Sequence, residues 1–125
     1  MSNTNKKQFG VWMDSHHATI VGKENMESTD FSIIDHIKND GPANNSNENS
    51  SNNQEIALTQ KFFKEIASKM QNIDEIHLTG TGQIQEQFKK FLKETPQYKS
   101  AEITECTSNK MNDESLIKFI HNRFN

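Results

Sequence analysis

Apolar and polar side chains alternate along the first forty residues with the period of two that is typical of β-strands. Residues 9–13, FGVWM, predict a first strand with apolar side chains on both faces. Residues 18–22 predict a second strand, and residues 31–37 predict a third. In the third strand, the period of two puts four side chains on one face: Phe31, Ile33, Asp35 and Ile37. The short links between the strands predict an antiparallel meander.

The segment from residue 39 to residue 54, NDGPANNSNENSSNNQ, has a different composition. It contains seven Asn, three Ser, one Gly and one Pro, and Ala43 is its only apolar residue. Such a segment has too little apolar surface to offset the conformational entropy lost on ordering. We therefore predict a flexible loop 39–54 inside a single domain that spans residues 1–125.

After this segment the apolar residues follow helical spacing. Residues 55–71 predict an amphipathic helix, and residues 76–79 predict a short buried strand. A second helix follows and ends before Pro96, because the residue that precedes a proline avoids the helical conformation. Residues 101–106 predict another strand, and residues 113–124 predict the last helix.

The order of the predicted elements defines the fold class. Asn112 is the predicted N-cap of the last helix. Together, the predicted elements follow the order βββαβαβα. Helices between the later strands imply parallel neighbours with right-handed crossovers, whereas the first three strands form a meander. This is the order of a ribonuclease-H-like α/β fold, a three-layer domain around a mixed five-stranded sheet.

Charge and cysteine content exclude several classes of protein. The chain has 14 basic and 17 acidic residues, a formal net charge of -3, so no global field attracts phosphates or anionic lipids. Cys106 is the only cysteine, which excludes an intramolecular disulfide and a four-thiolate zinc site. The apolar runs are too short to cross a bilayer. We predict a cytoplasmic protein with no membrane association and no cofactor.

The polar centre of the first strand pair, Asp14-Ser15-His16-His17, has two interpretations. One is a metal or catalytic site in a metal-dependent hydrolase or nuclease that uses Asp14 with His16 or His17. Adjacent strand residues point to opposite faces, however, so the two histidines reach one metal only in a bend. The favoured interpretation is a hairpin turn in which Asp14 and Ser15 bind backbone donors, with no metal.

A two-metal nuclease of this fold class needs acids on the first strand, the first helix and the fourth strand. Asp14 suits the first position and Glu65 the second, but the fourth strand ends in Leu78-Thr79-Gly80, which supplies no acid. The turn Gly80-Thr81-Gly82 resembles an anion-binding turn at a helix N-terminus. The alternative is a tight strand-to-helix turn capped by the Thr81 side chain.

Other residues favour structural roles. Six lysines lie on the first two helices and could meet RNA, but acidic residues interleave with them, so solvated helix faces are expected: Lys61, Lys64, Lys69, Lys89, Lys90 and Lys93. Trp12 is expected in the core rather than as a base-stacking platform. Cys106 is expected to be a small buried apolar residue without a cation nearby to activate it.

Three segments carry a resemblance to a known family: VWMDSHHATIV, IHLTGTG with the helix QIQEQFKKFLK, and AEITECTSNKMNDESLIKFI. They resemble the middle domain of the archaeal and eukaryotic peptide release factor and Pelota group. They are more similar still to small bacterial relatives of that domain, which are described as translational machinery proteins. The resemblance covers most of the ordered chain and implies the fold that the element order predicts.

The same resemblance bears on function. Release factors carry a Gly-Gly-Gln tip in the loop before the long helix, where the Gln helps water attack peptidyl-tRNA. The corresponding segment 39–54 contains Gly41-Pro42 and Gln54 but lacks Gly-Gly-Gln, so the hydrolytic role does not carry over. We therefore expect a non-catalytic binding module related to translation factors, with the ribosome, RNA or a partner protein as its target. A homodimer through an exposed sheet edge is a further expectation.

Overall fold

A computed structural model of the chain describes residues 7–14, 16–23, 30–39, 51–70 and 72–124, with the backbone alone for residues 51–57. Five strands and three α-helices follow one another along these residues: β1 (Gln8–Met13), β2 (His17–Lys23), β3 (Phe31–Lys38), α1 (Ser51–Ser68), β4 (Glu75–Gly80), α2 (Gln83–Glu94), β5 (Glu102–Thr107) and α3 (Asp113–Phe124). A short 3-10 turn, Pro96–Tyr98, follows α2. The predicted order βββαβαβα is confirmed.

The five strands form one mixed sheet in the order β3-β2-β1-β4-β5. β1, β2 and β3 pair antiparallel, as the predicted meander requires. β4 pairs parallel with β1 on one side and with β5 on the other. α1 and α2 pack on one face of the sheet and α3 on the opposite face, which gives three layers. The predicted fold class, a ribonuclease-H-like α/β domain, is confirmed.

β1 is the central strand and is buried on both faces, as its continuous apolar sequence predicts. Val11 and Met13 lie in the core under α1 and α2. Trp12 belongs to the smaller core under α3, so its predicted core position is confirmed. Gly10 also faces α3, and a Cβ at this position would overlap the side chain of Ile120. The glycine thus allows α3 to approach the centre of the sheet.

The prediction that four side chains of β3 share one face is wrong. Val21 pairs with Ile33 and Ile20 pairs with Asp35, which leaves Ile34 as an extra residue in a β-bulge. An extra residue shifts the alternation by one position, so the strand changes the face it presents. Phe31 and Ile33 therefore pack under α3, whereas Ile37 joins the core under α1 and α2.

α1 begins earlier than the sequence predicted. Its first residue is Ser51, inside the segment 39–54 that was predicted to be a loop, and its last is Ser68. Residues 40–50 of that segment lie outside the described residues. Asn and Ser are weak helix formers, but extending a formed helix gains one hydrogen bond per residue without a new nucleation cost. The packed part of α1 therefore supports an extra turn of unfavourable composition.

α3 begins as predicted. The backbone N–H of Ser115 donates to Asn112 Oδ1 at 2.8 Å, so the N-cap role of Asn112 is confirmed. Asp113 and Glu114 lie in the first turn, where carboxylates interact favourably with the helix dipole. None of the helices in the described part of the chain has the length and apolar composition needed to cross a membrane.

Candidate functional site

The parallel strands β1, β4 and β5 all end at one edge of the sheet, which we call the carboxyl edge. Asp14, Thr81 and Ser108 directly follow these strands, and at the same edge β2 begins and β3 ends. In open α/β sheets, ligands bind outside the carboxyl ends of parallel strands. The predicted candidates Asp14, His16, His17 and Gly80–Gly82 therefore all lie where the fold favours a site.

Asp14, His16 and His17 lie where the chain passes from β1 to β2. The N–H of Asp14 donates to the carbonyl oxygen of His17 at 2.9 Å. Asp14 Oδ1 accepts the backbone N–H groups of His16 at 2.8 Å and His17 at 2.7 Å. The Asp14 carboxylate thus stabilises the turn, as predicted, while Ser15 lies outside the described residues.

A cleft of about 830 Å³ opens at the carboxyl edge between β2, the end of β3 and the segment that leads into α3. His17, Lys38 and Lys110 are among the residues that line it. His36 Nε2 lies 3.1 Å from both carboxylate oxygens of Asp113, which links β3 to the first residue of α3. Within the described ranges, no group of three or more His, Cys, Asp or Glu residues is arranged to hold a metal ion.

The Gly80-Thr81-Gly82 turn differs from the prediction in its cap. Thr81 is exposed, and Gly82 adopts a φ of 137°, a conformation that only glycine adopts readily. The N–H of Gly82 donates to Gln85 Oε1 at 2.8 Å, so Gln85, rather than Thr81, caps α2. Gln85 is buried, and its Nε2 is satisfied there by donating to the carbonyl oxygen of Cys106 on β5. An anion at this turn would compete with Gln85 for the Gly82 N–H, and anion binding there stays a prediction.

A second polar cluster lies on the face of β4 and β5 that points to the α3 side. His77 is fully buried, with Nδ1 2.7 Å from Thr104 Oγ1 and Nε2 3.3 Å from Cys106 Sγ. Thr79 Oγ1 lies 3.3 Å from the same sulfur and 2.6 Å from Ser108 Oγ. These five residues form a continuous hydrogen-bonded chain, which we call the His77–Cys106 cluster.

α3 contributes an arginine to this cluster. Arg123 Nε donates to His77 Nδ1 at 3.4 Å, and the Phe119 ring lies 5.9 Å from the imidazole. Burial, and secondarily the positive charge of Arg123, lower the pKa of His77 to about 4. The imidazole is therefore neutral at pH 7. The expectation that Cys106 is a buried apolar residue is wrong, because its side chain is partly exposed and contacts two polar groups.

Sequence reasoning missed this cluster because its members come from two distant segments. On β4, His77 and Thr79 alternate with Ile76 and Leu78, whereas on β5 the residue between Thr104 and Cys106 is the polar Glu105. The parallel register then pairs His77 with Thr104 and Thr79 with Cys106. The alternation on β4 was visible in the sequence, but only the register shows that His77 and Thr79 lie beside Thr104 and Cys106.

Comparisons with known proteins define the fold further. No family model matches the chain, and the comparison with curated proteins gives no match. Two solved structures of Pelota proteins do match. The protein from Thermoplasma acidophilum has a TM-score of 0.62 at 14% identity, and the match covers 96% of this chain and 34% of that chain. The protein from Archaeoglobus fulgidus has a TM-score of 0.57 at 16% identity, covering 97% of this chain and 34% of that one.

An archaeal translation termination factor also matches, with a TM-score of 0.52 at 10% identity over 98% of this chain and 36% of that protein. The chain thus spans about a third of the length of each of these proteins. It is an α/β domain with the fold of one part of the Pelota and release factor proteins. The fold that the sequence resemblance implied is confirmed.

Proposed function

We propose that this domain is a non-catalytic binding module of the translation machinery, and that it contacts the ribosome through ribosomal RNA. The observation that carries the proposal is the fold match, which covers 96–98% of this chain and includes a translation termination factor. Lack of the Gly-Gly-Gln motif in segment 39–54 supports a binding role over peptidyl-tRNA hydrolysis. The separate domains that make up the rest of those longer proteins lie outside the match.

The carboxyl-edge cleft is the surface that we assign to this contact. Lys38 and Lys110 are exposed and line the cleft from two different elements, the end of β3 and the segment before α3. Lysine side chains bind phosphates without regard to base sequence, which suits a ribosomal RNA backbone. Two acidic residues, Asp113 and Glu114, also line the cleft, and the Asp113 carboxylate already contacts His36 Nε2 at 3.1 Å. Because the net charge of the chain is -3, its overall field does not attract RNA, and binding would depend on local contacts by these lysines.

Co-sedimentation with ribosomes at low salt tests the proposal. We expect the native chain to sediment with ribosomes and the double variant Lys38→Glu/Lys110→Glu to stay in the supernatant. Lys64→Glu/Lys93→Glu is the matched control, because it changes the net charge equally on exposed helix positions away from the cleft. If the two lysines contact two phosphates, the slope of log K for ribosome binding against log salt concentration should be smaller in magnitude by about 2 in the variant. Native chain that stays in the supernatant at low salt, in lysates of growing and of starved cells, would refute the proposal.

The alternative enzyme prediction, a metal-dependent hydrolase or nuclease based on Asp14 with His16 or His17, is tested separately. Asp14 Oδ1 already accepts two backbone N–H groups, so in this alternative Oδ2 would be the oxygen that binds the metal. Elemental analysis of tag-free protein, with the His16→Ala/His17→Ala variant as control, decides between the two functions. Stoichiometric metal that the variant loses would favour the enzyme.

The predicted homodimer is a separate proposal. β3 and β5 are the outer strands of the sheet, and an unpaired strand edge can pair with a second copy. Light scattering at increasing protein concentration tests it, with a mass near 14.4 kDa expected for a monomer and twice that mass for a dimer.

A further inference from the structure

The carboxyl-edge cleft is lined by charges of both signs. Lys38 and Lys110 line it, and so do Asp113 and Glu114 from the first turn of α3. In a contact with RNA phosphates alone, the two carboxylates would repel the phosphates and weaken binding. The lining therefore favours a ligand that presents an anionic group to the lysines and hydrogen-bond donors to a carboxylate.

The two carboxylates of the cleft differ in their contacts. Both oxygens of Asp113 lie 3.1 Å from His36 Nε2, so this side chain already has a partner on β3. Glu114 is the next residue of α3, and it is exposed. An ionised carboxylate only accepts hydrogen bonds, and its two oxygens can accept two parallel N–H groups. Glu114 thus suits a ligand with two adjacent N–H donors.

Guanine is the RNA base that presents two adjacent donors. Its Watson–Crick edge carries the N1–H beside the N2 amino group. In adenine and cytosine, a ring nitrogen that accepts hydrogen bonds lies beside the amino group, and uracil has one N–H between two carbonyl oxygens. These edges are paired in a duplex, so a protein can reach them only on an unpaired nucleotide.

The cleft also has the size and the apolar surface that a nucleotide requires. Its volume of about 830 Å³ lies within the range of roughly 300–1,000 Å³ that is usual for small-ligand sites. Ala18, Ile37 and Met111 line it beside the charged residues, and Met111 is partly exposed. The methionine side chain is flexible and polarisable, so it can pack against the flat face of a base.

We propose that the carboxyl-edge cleft binds one unpaired guanine nucleotide of RNA. The flanking phosphates contact Lys38 and Lys110, and Glu114 accepts the N1–H and N2–H of the base. Phosphate contacts position a nucleic acid, whereas contacts to base edges provide sequence preference. This inference rests on the proposed RNA contact and names the nucleotide that the contact selects.

A single tryptophan makes binding in the cleft directly observable. Trp12 is the only tryptophan of the chain and lines the cleft. Its Nε1–H donates to the carbonyl oxygen of Asn109 at 3.1 Å, next to Lys110. The indole N–H therefore gives one NMR signal, and a ligand that contacts Lys110 should shift it. We titrate the chain with the pentanucleotides UUGUU and UUAUU, and we expect UUGUU to bind about tenfold more tightly.

Two variants test the role of the carboxylate. Glu114→Gln keeps the size of the side chain but leaves one acceptor beside an amino group. We expect its affinity for UUGUU to fall about tenfold, to that for UUAUU, while its affinity for UUAUU stays within about twofold of the native value. Glu86→Gln is the matched control, because it makes the same change at an exposed position in the first turn of α2, outside the cleft.

The outcomes separate the guanine site from the proposed function. Tighter binding of UUGUU, a shift of the Trp12 signal, and loss of the preference in Glu114→Gln but not in Glu86→Gln support the site. Equal binding of the two oligonucleotides, no binding of either, an unchanged Trp12 signal, or a preference that survives in Glu114→Gln overturns it. A chain that sediments with ribosomes but binds both oligonucleotides equally keeps the proposed function and loses the guanine site.

Discussion

Acidification is expected to destabilise the domain through His77. In the folded chain its pKa is lowered to about 4, because the ring is buried and Arg123 lies beside it, whereas an unfolded histidine has a pKa of 6.5. Below pH 6.5 the unfolded chain therefore binds a proton that the folded chain does not bind until about pH 4. The free energy of unfolding should fall as the pH drops from 6.5 to 4 and level off below that range.

The size of the effect follows from the difference between the two pKa values. Each pKa unit corresponds to about 1.4 kcal/mol, which gives an upper limit of about 3 kcal/mol. Thr104 and Arg123, which contact the ring, are exposed to solvent, and screening there reduces the expected loss to about 2 kcal/mol. A loss of about 2 kcal/mol is a substantial fraction of the free energy of unfolding of small domains, which is typically about 5–15 kcal/mol.

Urea unfolding at pH 7 and pH 4.5 measures the loss, and His77→Gln supplies the control. Glutamine stays neutral over this range, while all other titrating groups remain, so the variant should lose about 2 kcal/mol less than the native chain. An NMR titration of the His77 ring gives the same answer without a variant. A ring that titrates near pH 6.5, or equal losses in native chain and variant, would refute the reasoning.

Three further predictions concern stability. Gly80→Ala should destabilise the domain by about 3 kcal/mol, because the new Cβ would overlap the carbonyl oxygen of Met13 on the neighbouring strand; thermal unfolding measures it. Asn112→Ala should cost about 1 kcal/mol in urea unfolding by removing the cap of α3, and Asn112→Ser should restore most of it. Phe88→Ala should cost about 3–5 kcal/mol, because Phe88 lies on α2 and is fully buried in the core between α2 and the sheet; a loss below 1 kcal/mol would contradict its place in the core.

Local patterns were sufficient to predict the order of elements. A continuous apolar run identified β1, the short segment 76–79 identified β4, helical spacing identified α1 and α2, and Asn112 marked the start of α3. Each of these signals lies within one segment of the chain, where side-chain periodicity and capping chemistry act. The fold class then followed from the order of elements and their connection rules.

The errors arose where distant segments meet. The bulge at Ile34 changed the face to which part of β3 points. The alternation of residues within β3 could not reveal it, because a bulge is defined by the pairing with the neighbouring strand β2. Gln85 replaced Thr81 as the cap of α2 because its other end binds the backbone of β5. His77 and Cys106 are 29 residues apart, and their contact depends on the register of two parallel strands.

The place of β1 in the sheet has a consequence for folding during synthesis. One edge of β1 pairs with β2 a few residues later, but its other edge pairs with β4, where Gln8 meets Glu75 across 67 residues. Hairpins form within about 10 microseconds, whereas a ribosome adds about 5–20 residues per second. The open edge of the central strand therefore stays unpaired for roughly 3–13 seconds while the chain up to β4 is made. During that interval the nascent chain presents a strand edge on which chaperones or a second nascent chain could act.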